Sequence, residues 1–363
     1  MKTSLKCERC LLPNETPGIS FDKDHVCNFC KDNFAVCKPL GEDLFFTEMK
    51  KHLRKGSGAD CLVGISGGKD STFALVKLLE LGFKVEAFTY VHGGSTPIAL
   101  ENAKQVCKQL NVKHHIVSLD NDKHLKTFLA YFNAWMKKPS QTAAAMTCVA
   151  CKHLHILGYE IATKRNIPII VWASSPIEFP PFLAIERKMQ NGKLVEPSTF
   201  KSFTKLANNM ISNPVLGFDV LKYSKTTALG CLSVNPKSNY LLKKYNTVTP
   251  ISIFDYYDSN PKNIRDYIIK EADWYYDKKK EDWHADCVFH VFKEYMILKT
   301  SGVSYIEAYV SNQIRNEFIT KEEGEVQIHD AMLVYKKELV EGIHKLKLDS
   351  ILHKIDLSVF DGK

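Results

Sequence analysis

The sequence lacks the long apolar stretches and leader patterns that direct a chain to a membrane. No apolar run approaches the roughly 20 residues needed to cross a bilayer. The lysines near Met1 are not followed by an apolar stretch, so we expect no signal peptide. Internal repeats and low-complexity tracts are also missing, and 45% hydrophobic with 25% charged residues is a globular composition. We therefore expect a cytoplasmic protein without a membrane partner.

The chain is short of acidic residues relative to basic ones, and its formal net charge is +8. Its 49 lysines and arginines are spread along the sequence instead of forming one block. A nucleic-acid substrate is therefore allowed but not required, and we consider it the less favoured partner. Polyanionic small molecules such as ATP or a nucleotide-linked sugar suit the same charge.

The 11 cysteines do not have the pattern of a disulfide framework, because their number is odd and the chain is expected in the cytosol. Two pairs, Cys7-x2-Cys10 and Cys27-x2-Cys30, have the spacing of a tetrahedral zinc site with four thiolate ligands. Such a site has no open position, so we assign the zinc a structural role. Cys37 lies outside the pattern. Four unrelated free thiols are the alternative.

One hexapeptide, Ser66-Gly67-Gly68-Lys69-Asp70-Ser71, is placed to bind an anion. The apolar run 61–65 before it predicts a buried strand, and residues 72–81 after it predict a helix that ends at Gly82. A strand, a glycine turn and a helix together present backbone N–H groups to a phosphate. The loop has neither the GxxxxGK[ST] nor the GxGxxG pattern, so it belongs to neither of those nucleotide-binding types.

The side chains of this loop extend the anion site. Ser66, Lys69 and Ser71 can donate to a phosphate, whereas Asp70 suits a phosphate site only if a cation lies between them. SGGKDS after a strand resembles the loop of the PP-loop ATPases, which split ATP into AMP and pyrophosphate. The resemblance implies that residues 66–71 and Tyr90 bind ATP and that Lys69, Asp70 and Ser71 are catalytic. The alternative is a helix-capping turn that contains two glycines.

Strand and helix patterns alternate from residue 60 onward. We predict further strands at 84–90, 114–118 and 167–173, and helices at 96–111, 124–137 and 148–165. Repeated strand–helix units imply an α/β fold with a parallel twisted sheet, as in the PP-loop (adenine nucleotide alpha hydrolase-like) type. Ligands then collect at the carboxyl ends of the strands.

Three parts of the chain follow from this pattern. Residues 1–40 form a zinc-ribbon-like, four-cysteine N-terminal knob. Residues 56–250 form the ATP pyrophosphatase domain, in which a substrate-loop insertion starts at about 176, where prolines and glycines interrupt every pattern. Residues 251–363 are mainly helical, with the last helix predicted at 336–353 and others at 263–274, 288–300 and 304–318.

A second cysteine set consists of Cys148, Cys151 and the distant Cys287. Because we place Cys148 and Cys151 at a helix start, we expect depressed thiol pKa values. The set could bind a second metal with help from His284 or Asp286, hold an iron–sulfur cluster, or act as a redox pair. Packing as small hydrophobic side chains is the alternative.

Two further features bear on the substrate. Glu178 follows the apolar strand 167–173, so we place it in a loop that faces the substrate, and we add His284 and Asp286 as pocket candidates. No glutaminase signature is present: Gly230-Cys231-Leu232-Ser233 does not fit a Gly-x-Cys-x-Gly elbow, and Met1-Lys2 offers no N-terminal nucleophile. If the protein uses ammonia, another protein must supply it.

Several motifs together resemble one family, over roughly residues 5–320. They are CERC at 7–10, PGISFD at 17–22, VCNFC at 26–30, the Ser66 loop, the 148–151 cysteines, HADC at 284–287, KTSG at 299–302 and SNQIR at 311–315. The combination is similar to the N-acetyl sugar amidotransferases of O-antigen (lipopolysaccharide) and pseudaminic or legionaminic acid pathways. The irregular stretch 176–250 departs from the family pattern, so the particular sugar stays open.

The resemblance implies that an acetamido group becomes an acetamidino group. ATP with Mg²⁺ would adenylate the amide oxygen, pyrophosphate would leave, and ammonia from a separate glutaminase subunit would displace AMP. Lys69, Ser71 and the loop N–H groups would stabilise the departing pyrophosphate, while Asp70 would hold Mg²⁺ or organise the loop. Zinc and a possible 4Fe–4S cluster complete the implied cofactors.

Sulfur transfer to tRNA is the main rival. Some PP-loop thiolases combine zinc-binding cysteine pairs, an ATP loop and an iron–sulfur cluster held by a CxxC and a distant cysteine. The positive charge favours this reading, whereas the signatures around Pro17 and Ser311 oppose it. A zinc-bound nucleotide-sensing module without catalysis is a third hypothesis.

Overall fold

A computed structural model describes residues 5–36, 38–181, 188–190, 193–195, 221–275 and 286–361. Cys37, His284, Met1 and Lys2 lie outside these residues, and so do residues 182–187, 191–192 and 196–220 of the predicted substrate-loop insertion. Among the described residues, no helix combines the length and the apolarity needed to span a membrane.

A five-stranded parallel sheet forms the centre of the part between residues 61 and 252. Its spatial order is β3-β2-β1-β4-β7, in which all neighbours are parallel. The strands are β1 Cys61–Gly64, β2 Val85–Tyr90, β3 Lys113–Val117, β4 Ile169–Trp172 and β7 Thr249–Ser252. A separate antiparallel pair joins β5 Lys188–Gln190 to β6 Lys193–Val195. The predicted α/β class with a parallel sheet is confirmed.

Thirteen α-helices occur in the described residues. In chain order, α1 to α7 are Asn28–Lys31, Glu42–His52, Lys69–Glu80, Pro97–Gln109, Lys123–Lys137, Gln141–Met146 and His153–Lys164. The helices α8 to α13 are Ser224–Leu232, Asn239–Lys244, Pro261–Ala272, Phe289–Ser301, Tyr305–Arg315 and Lys321–Lys345. The predicted helical C-terminal region is therefore confirmed.

Three predicted helices have different bounds. The helix after the glycine loop begins at Lys69 instead of Thr72, so the acidic and hydroxyl residues of the loop occupy its first turn. The predicted helix 148–165 is a 3-10 turn over Val149–Lys152 followed by α7. The last helix begins at Lys321, because Thr320 and Glu323 form a reciprocal capping box, and it ends at Lys345.

The strand β7 was not predicted from the sequence, because Pro250 breaks the apolar pattern there. Proline lacks a backbone N–H, so it is tolerated in a sheet mainly at an edge. The edge position of β7 beside β4 meets this condition. Residue 250, where we drew a domain boundary, therefore lies inside a strand, and α10 beyond it packs against α3.

The N-terminal knob shares its core with the C-terminal helices. Cys7, Cys10, Cys27 and Cys30 are buried in one apolar cluster with side chains of α5, α6, α11, α12 and α13. The two faces of the sheet are covered by two other clusters. The knob is thus packed on the helical region and does not stand apart from it.

Candidate active site around the glycine loop

The Ser66–Ser71 loop joins the carboxyl end of β1 to the first turn of α3 and is held by its own hydroxyl groups. Ser66 N donates to Ser71 Oγ at 3.2 Å, and Gly68 N donates to Ser66 Oγ at 3.3 Å. Ser71 Oγ donates to Gly68 O at 3.1 Å. These bonds direct the loop around the positive end of the helix dipole, which is a site for an anion.

Gly67 is required at its position for two reasons. Its φ of +85° lies in the left-handed region, and a Cβ there would lie 1.8 Å from the carbonyl oxygen of Ala99 in α4. Its own carbonyl accepts a hydrogen bond of 2.8 Å from Trp274 Nε1. The loop is therefore clamped between α4 and the chain after α10.

Lys69 brings a buried positive charge to this loop. Its side chain is 4% exposed, and its Nζ lies 3.1 Å from Asp70 Oδ2 and 3.8 Å from Glu178 Oε1. Burial, reinforced by the charge of Asp70, raises the pKa of Glu178 to about 8. Burial also raises the pKa of Asp286, although a hydrogen bond from Ser66 and the charge of Lys69 oppose the change. Two carboxyl groups thus lie within 4 Å of the Lys69 ammonium group, and its charge also acts on Asp286.

A cavity of about 560 Å³ opens in front of the loop. It is lined by the whole Ser66–Ser71 loop, by Thr96–Ala99 at the start of α4, by Glu178, by Asp286–Val288 and by one face of α13. This volume lies in the range of ordinary small-molecule sites, which are usually clefts of about 300–1,000 Å³.

The chain from Asp286 to Val288 is fixed beside the loop that follows β2. Val288 N donates to Gly94 O at 2.7 Å, and Thr96 N donates to Asp286 O at 3.1 Å. These bonds carry Asp286 to the cavity wall, although it is 216 residues from Asp70 in the printed numbering. The structure therefore brings Glu178 and Asp286 to the glycine loop, and their roles there stay predictions.

Tyr90, which we expected at the ATP site, has a different neighbour. Its hydroxyl group lies 3.0 Å from His124 Nδ1, and the two rings are stacked. It is not among the described residues that line the cavity. Trp274 and Asn102 also line the cavity, although we did not propose them from the sequence. Asn102 Nδ2 donates to Tyr275 O at 3.1 Å. Nothing in their local sequence marks them, because only the fold brings them to the loop.

The second cysteine set contradicts our expectation of depressed thiol pKa values. Burial raises the pKa of Cys151 to about 11, and burial with the charge of Asp286 raises that of Cys287 well above its usual range. The N-terminus of a helix would lower a thiol pKa, but α7 begins only at His153. Cys148 and Cys151 therefore do not occupy an α-helix N-terminus. Electrostatic coupling among Cys148, Cys151 and Cys287 shows that they are near one another.

Among the residues that the structure describes, the sulfurs of Cys148, Cys151 and Cys287 are further apart than the ligands of a single metal ion. A second metal or an iron–sulfur cluster at this position therefore stays a prediction.

The first cysteine set has the geometry of a metal site. The four sulfurs of Cys7, Cys10, Cys27 and Cys30 all lie within 4.8 Å of one another. Cys7 Sγ is 3.9 Å from Cys30 Sγ, and Cys10 Sγ is 3.7 Å from Cys27 Sγ. Tetrahedral zinc with Zn–S bonds of about 2.3 Å needs sulfurs about 3.8 Å apart, so the four residues fit zinc.

The sheet and the phosphate loop at the carboxyl end of β1 define an ATP-binding α/β domain. Residues 60–164 match the family model described as Queuosine biosynthesis protein QueC. The loop and this match make residues 60–164 similar to the PP-loop ATP pyrophosphatases, a class of enzymes that use ATP.

Individual relatives match short segments. The chain is 36% identical over 75 residues to the tRNA-specific 2-thiouridylase MnmA of Prochlorococcus marinus, over 19% of this chain and 18% of that protein. It is 46% identical over 54 residues to the 7-cyano-7-deazaguanine synthase of Pseudoalteromonas translucida, over 15% of this chain and 25% of that protein. The chain thus spans about a quarter or less of these curated relatives.

Among solved structures, the NMN synthetase of Francisella tularensis is similar at 13% identity with a TM-score of 0.30, over 76% of this chain and 92% of that one.

Proposed function

We propose that the protein is an ATP-dependent amidotransferase that converts the N-acetyl group of a sugar, carried by a nucleotide-sugar or a nonulosonic acid, into an acetamidino group. The observation that carries the proposal is the convergence of distant motifs on one cavity. The glycine loop and Asp286–Cys287 line it, and Asn312 of the SNQIR segment donates hydrogen bonds to the turn that holds Glu178. These are motifs on which the resemblance to the sugar amidotransferases rests.

The reaction begins with the amide oxygen, which attacks the α-phosphorus of ATP while the bond to pyrophosphate breaks. Ammonia then adds to the imidate carbon, and AMP leaves with the former amide oxygen. An amide needs this activation because its oxygen is a poor leaving group. Lys69, Ser71 and the loop N–H groups are placed to stabilise the charge that develops on pyrophosphate.

The carboxyl groups of the cavity have two further tasks in this proposal. Asp286 stands at the cavity wall, where it would accept the proton that ammonia releases when it adds to carbon. Asp70 would hold Mg²⁺, which proteins usually bind through one or two carboxylates together with substrate phosphates. Zinc at the four cysteines would be structural. A separate glutaminase subunit would supply ammonia.

Mass spectrometry tests the proposal directly. Acetamido sugars and sialic-like acids are incubated with the protein, ATP, Mg²⁺ and ammonium. We expect a product in which NH replaces O, which is lighter than the substrate, and ¹⁸O from a labelled acetamido group in AMP. Absence of this product with every acetamido sugar, together with pyrophosphate release on addition of tRNA, would reject the proposal.

Sulfur transfer to tRNA is the second candidate function. It is favoured by the nearness of Cys148, Cys151 and Cys287 and by the local similarity to a tRNA thiouridylase. A thiolated product, in which S replaces O, would be heavier than the substrate. A purified protein with visible colour would point to an iron–sulfur cluster and so to this function.

A further inference from the structure

A buried chain of hydrogen bonds starts at the four-cysteine cluster. Arg315, the last residue of α12, is 3% exposed, and its Nη1 donates to Cys10 Sγ at 3.0 Å. Its Nε donates to Phe34 O at 3.1 Å, and its Nη2 donates to Asn312 Oδ1. A guanidinium group that donates to a metal-binding thiolate makes a charge-assisted bond and orients that ligand. Arg315 therefore links the cysteine cluster to Asn312.

Asn312 continues the chain toward the glycine loop. It is fully buried, and its Nδ2 donates to Ile177 O at 2.7 Å and to Phe179 O at 3.1 Å. These two carbonyl groups flank Glu178. One side-chain amide thus uses both of its hydrogens on the backbone on either side of a single residue.

Glu178 needs such support because its own segment is short. It ends a single 3-10 turn, Pro176–Glu178, shortly after β4. The backbone bonds within this segment are Glu178 N to Ser175 O at 3.2 Å and Phe179 N to Pro176 O at 3.3 Å. The two bonds from Asn312 add to these backbone bonds and tie the turn to α12.

We propose that Asn312 and Arg315 are positioning residues that hold Glu178 against Lys69 and thereby couple the four-cysteine metal site to the ATP loop. Lys69 Nζ lies 3.8 Å from Glu178 Oε1, so a shift of this turn changes the polar wall that ATP meets. The coupling rests on one part of the proposed function, which is that ATP binds at the Ser66 loop. It does not depend on the acetamido substrate.

Zinc affinity measures the coupling without catalysis. The full chain is loaded with zinc, and transfer of zinc to a chromogenic chelator is followed with and without MgATP. Coupling between two binding sites is reciprocal, so ATP must stabilise bound zinc if the cysteine site helps to order the ATP site. With zinc at equilibrium between the protein and the chelator, we expect MgATP to raise the zinc affinity of the wild type about fivefold, the low end of usual coupling. Asn312→Ala should abolish the difference.

Two variants separate positioning from general stability. Asn316→Ala is the matched control, because Asn316 lies one turn further on. Its Nδ2 donates to Ala35 O at 3.0 Å and to the backbone carbonyl of Asn312 at 2.8 Å, and not to the Glu178 turn. It should keep the effect of ATP. Arg315→Lys keeps the charge but loses the fork of donors, so the zinc affinity should be lower and the ATP effect smaller.

Asn312→Asp is the second variant if Asn312→Ala does not fold, since it keeps the acceptor for Arg315 and removes both donors to the turn. The coupling is rejected if ATP does not change the zinc affinity of the wild type, or if a folded Asn312 variant responds like Asn316→Ala. An ATP effect in a protein that makes no amidine would reject the proposed function and leave the coupling intact.

Discussion

Lys69 carries a charge that is almost completely enclosed by the protein. A buried ammonium group is costly unless a charged partner lies beside it, and here Asp70 Oδ2 lies 3.1 Å from its Nζ. The surroundings hold its position before any nucleotide arrives. A charge fixed in this way needs little rearrangement when negative charge develops on a leaving pyrophosphate.

Replacement of this charge is the sharpest test at the residue scale. We expect Lys69→Met to lower the rate of pyrophosphate release about 100- to 1,000-fold, as for loss of one preorganised electrostatic contact. Release is measured with a coupled phosphate assay under saturating ATP. Lys77→Met is the matched control in the same helix, since Lys77 pairs with Glu80. Equal rates for the two variants would contradict the assignment of Lys69.

At the scale of elements, the turn between β1 and α3 depends on a close approach to α4. We expect Gly67→Ala to displace the loop, because a Cβ there collides with the carbonyl oxygen of Ala99 in addition to the strain of a positive φ. ATP affinity, measured by isothermal titration calorimetry, should fall at least tenfold.

Gly82→Ala separates strain from collision in this test. Gly82 has a φ of +78° and no atom within 4 Å of an added Cβ, so the change should cost only about 1–2 kcal/mol of stability and leave ATP affinity unaltered. If Gly67→Ala binds ATP as tightly as Gly82→Ala, the loop does not need the close approach.

A second element-scale feature is a buried carboxyl group where α11 meets α12. Burial raises the pKa of Glu294 from its ordinary value of 4.5 to about 8, and its Oε2 accepts a hydrogen bond of 2.8 Å from Tyr305 N. The charge of Glu307 acts in the same direction, whereas Lys293 opposes it. The native protein therefore keeps this carboxyl group protonated at neutral pH.

The free energy of unfolding should fall as pH rises from about 4.5 to 8, because over this range the native state binds a proton that the unfolded state has lost. At about 1.4 kcal/mol for each pH unit, the Glu294 contribution is at most about 5 kcal/mol. We expect Glu294→Gln to remove the Glu294 share of this slope in urea titrations at several pH values, while Glu178, whose pKa is also raised to about 8, keeps its own share. Exposed Glu325→Gln on α13 should retain the slope, and retention by both variants would contradict the prediction.

At the scale of the whole molecule, the four cysteines lie in the same core as α11, α12 and α13. A metal ion bound there would support helices that are far from it in the sequence. The binding energy of a structural metal contributes to folding, because the site does not exist in the unfolded chain.

We therefore expect Cys10→Ser to lose the bound metal and to lower the melting temperature of the whole protein, instead of melting only the first 40 residues. Cys107→Ala is the control, since Cys107 is a buried thiol in the core of the sheet. It should keep the metal and cost less than about 3 kcal/mol. Metal content by plasma mass spectrometry and a single melting transition check both. A Cys10→Ser variant with an unchanged melting temperature would contradict a structural metal.

Local patterns in the sequence determined a large part of this structure. Three of these patterns depend only on residues that are close in the chain: the apolar run before Ser66, the glycines in the loop and the alternation of strand and helix. For this reason β1, α3 and the parallel sheet could be predicted. The spacing of Cys7, Cys10, Cys27 and Cys30 similarly reflects two local turns. The start of α3 was missed by three residues, because glycine turns and helix ends share the same residue types.

Only the tertiary structure decided which distant residues meet. Pro250 hides the strand β7 in the sequence, and its edge position alone makes that strand possible. The thiol pKa values depend on burial, which a CxxC spacing does not specify. Trp274 Nε1 donates to Gly67 O across 207 residues, and Asn312 Nδ2 donates to Ile177 O across 135. Arg315 Nη1 donates to Cys10 Sγ across 305 residues, Asn102 lines the cavity, and local sequence carries no such information. Periodicity and spacing determine elements, whereas packing of those elements determines the site.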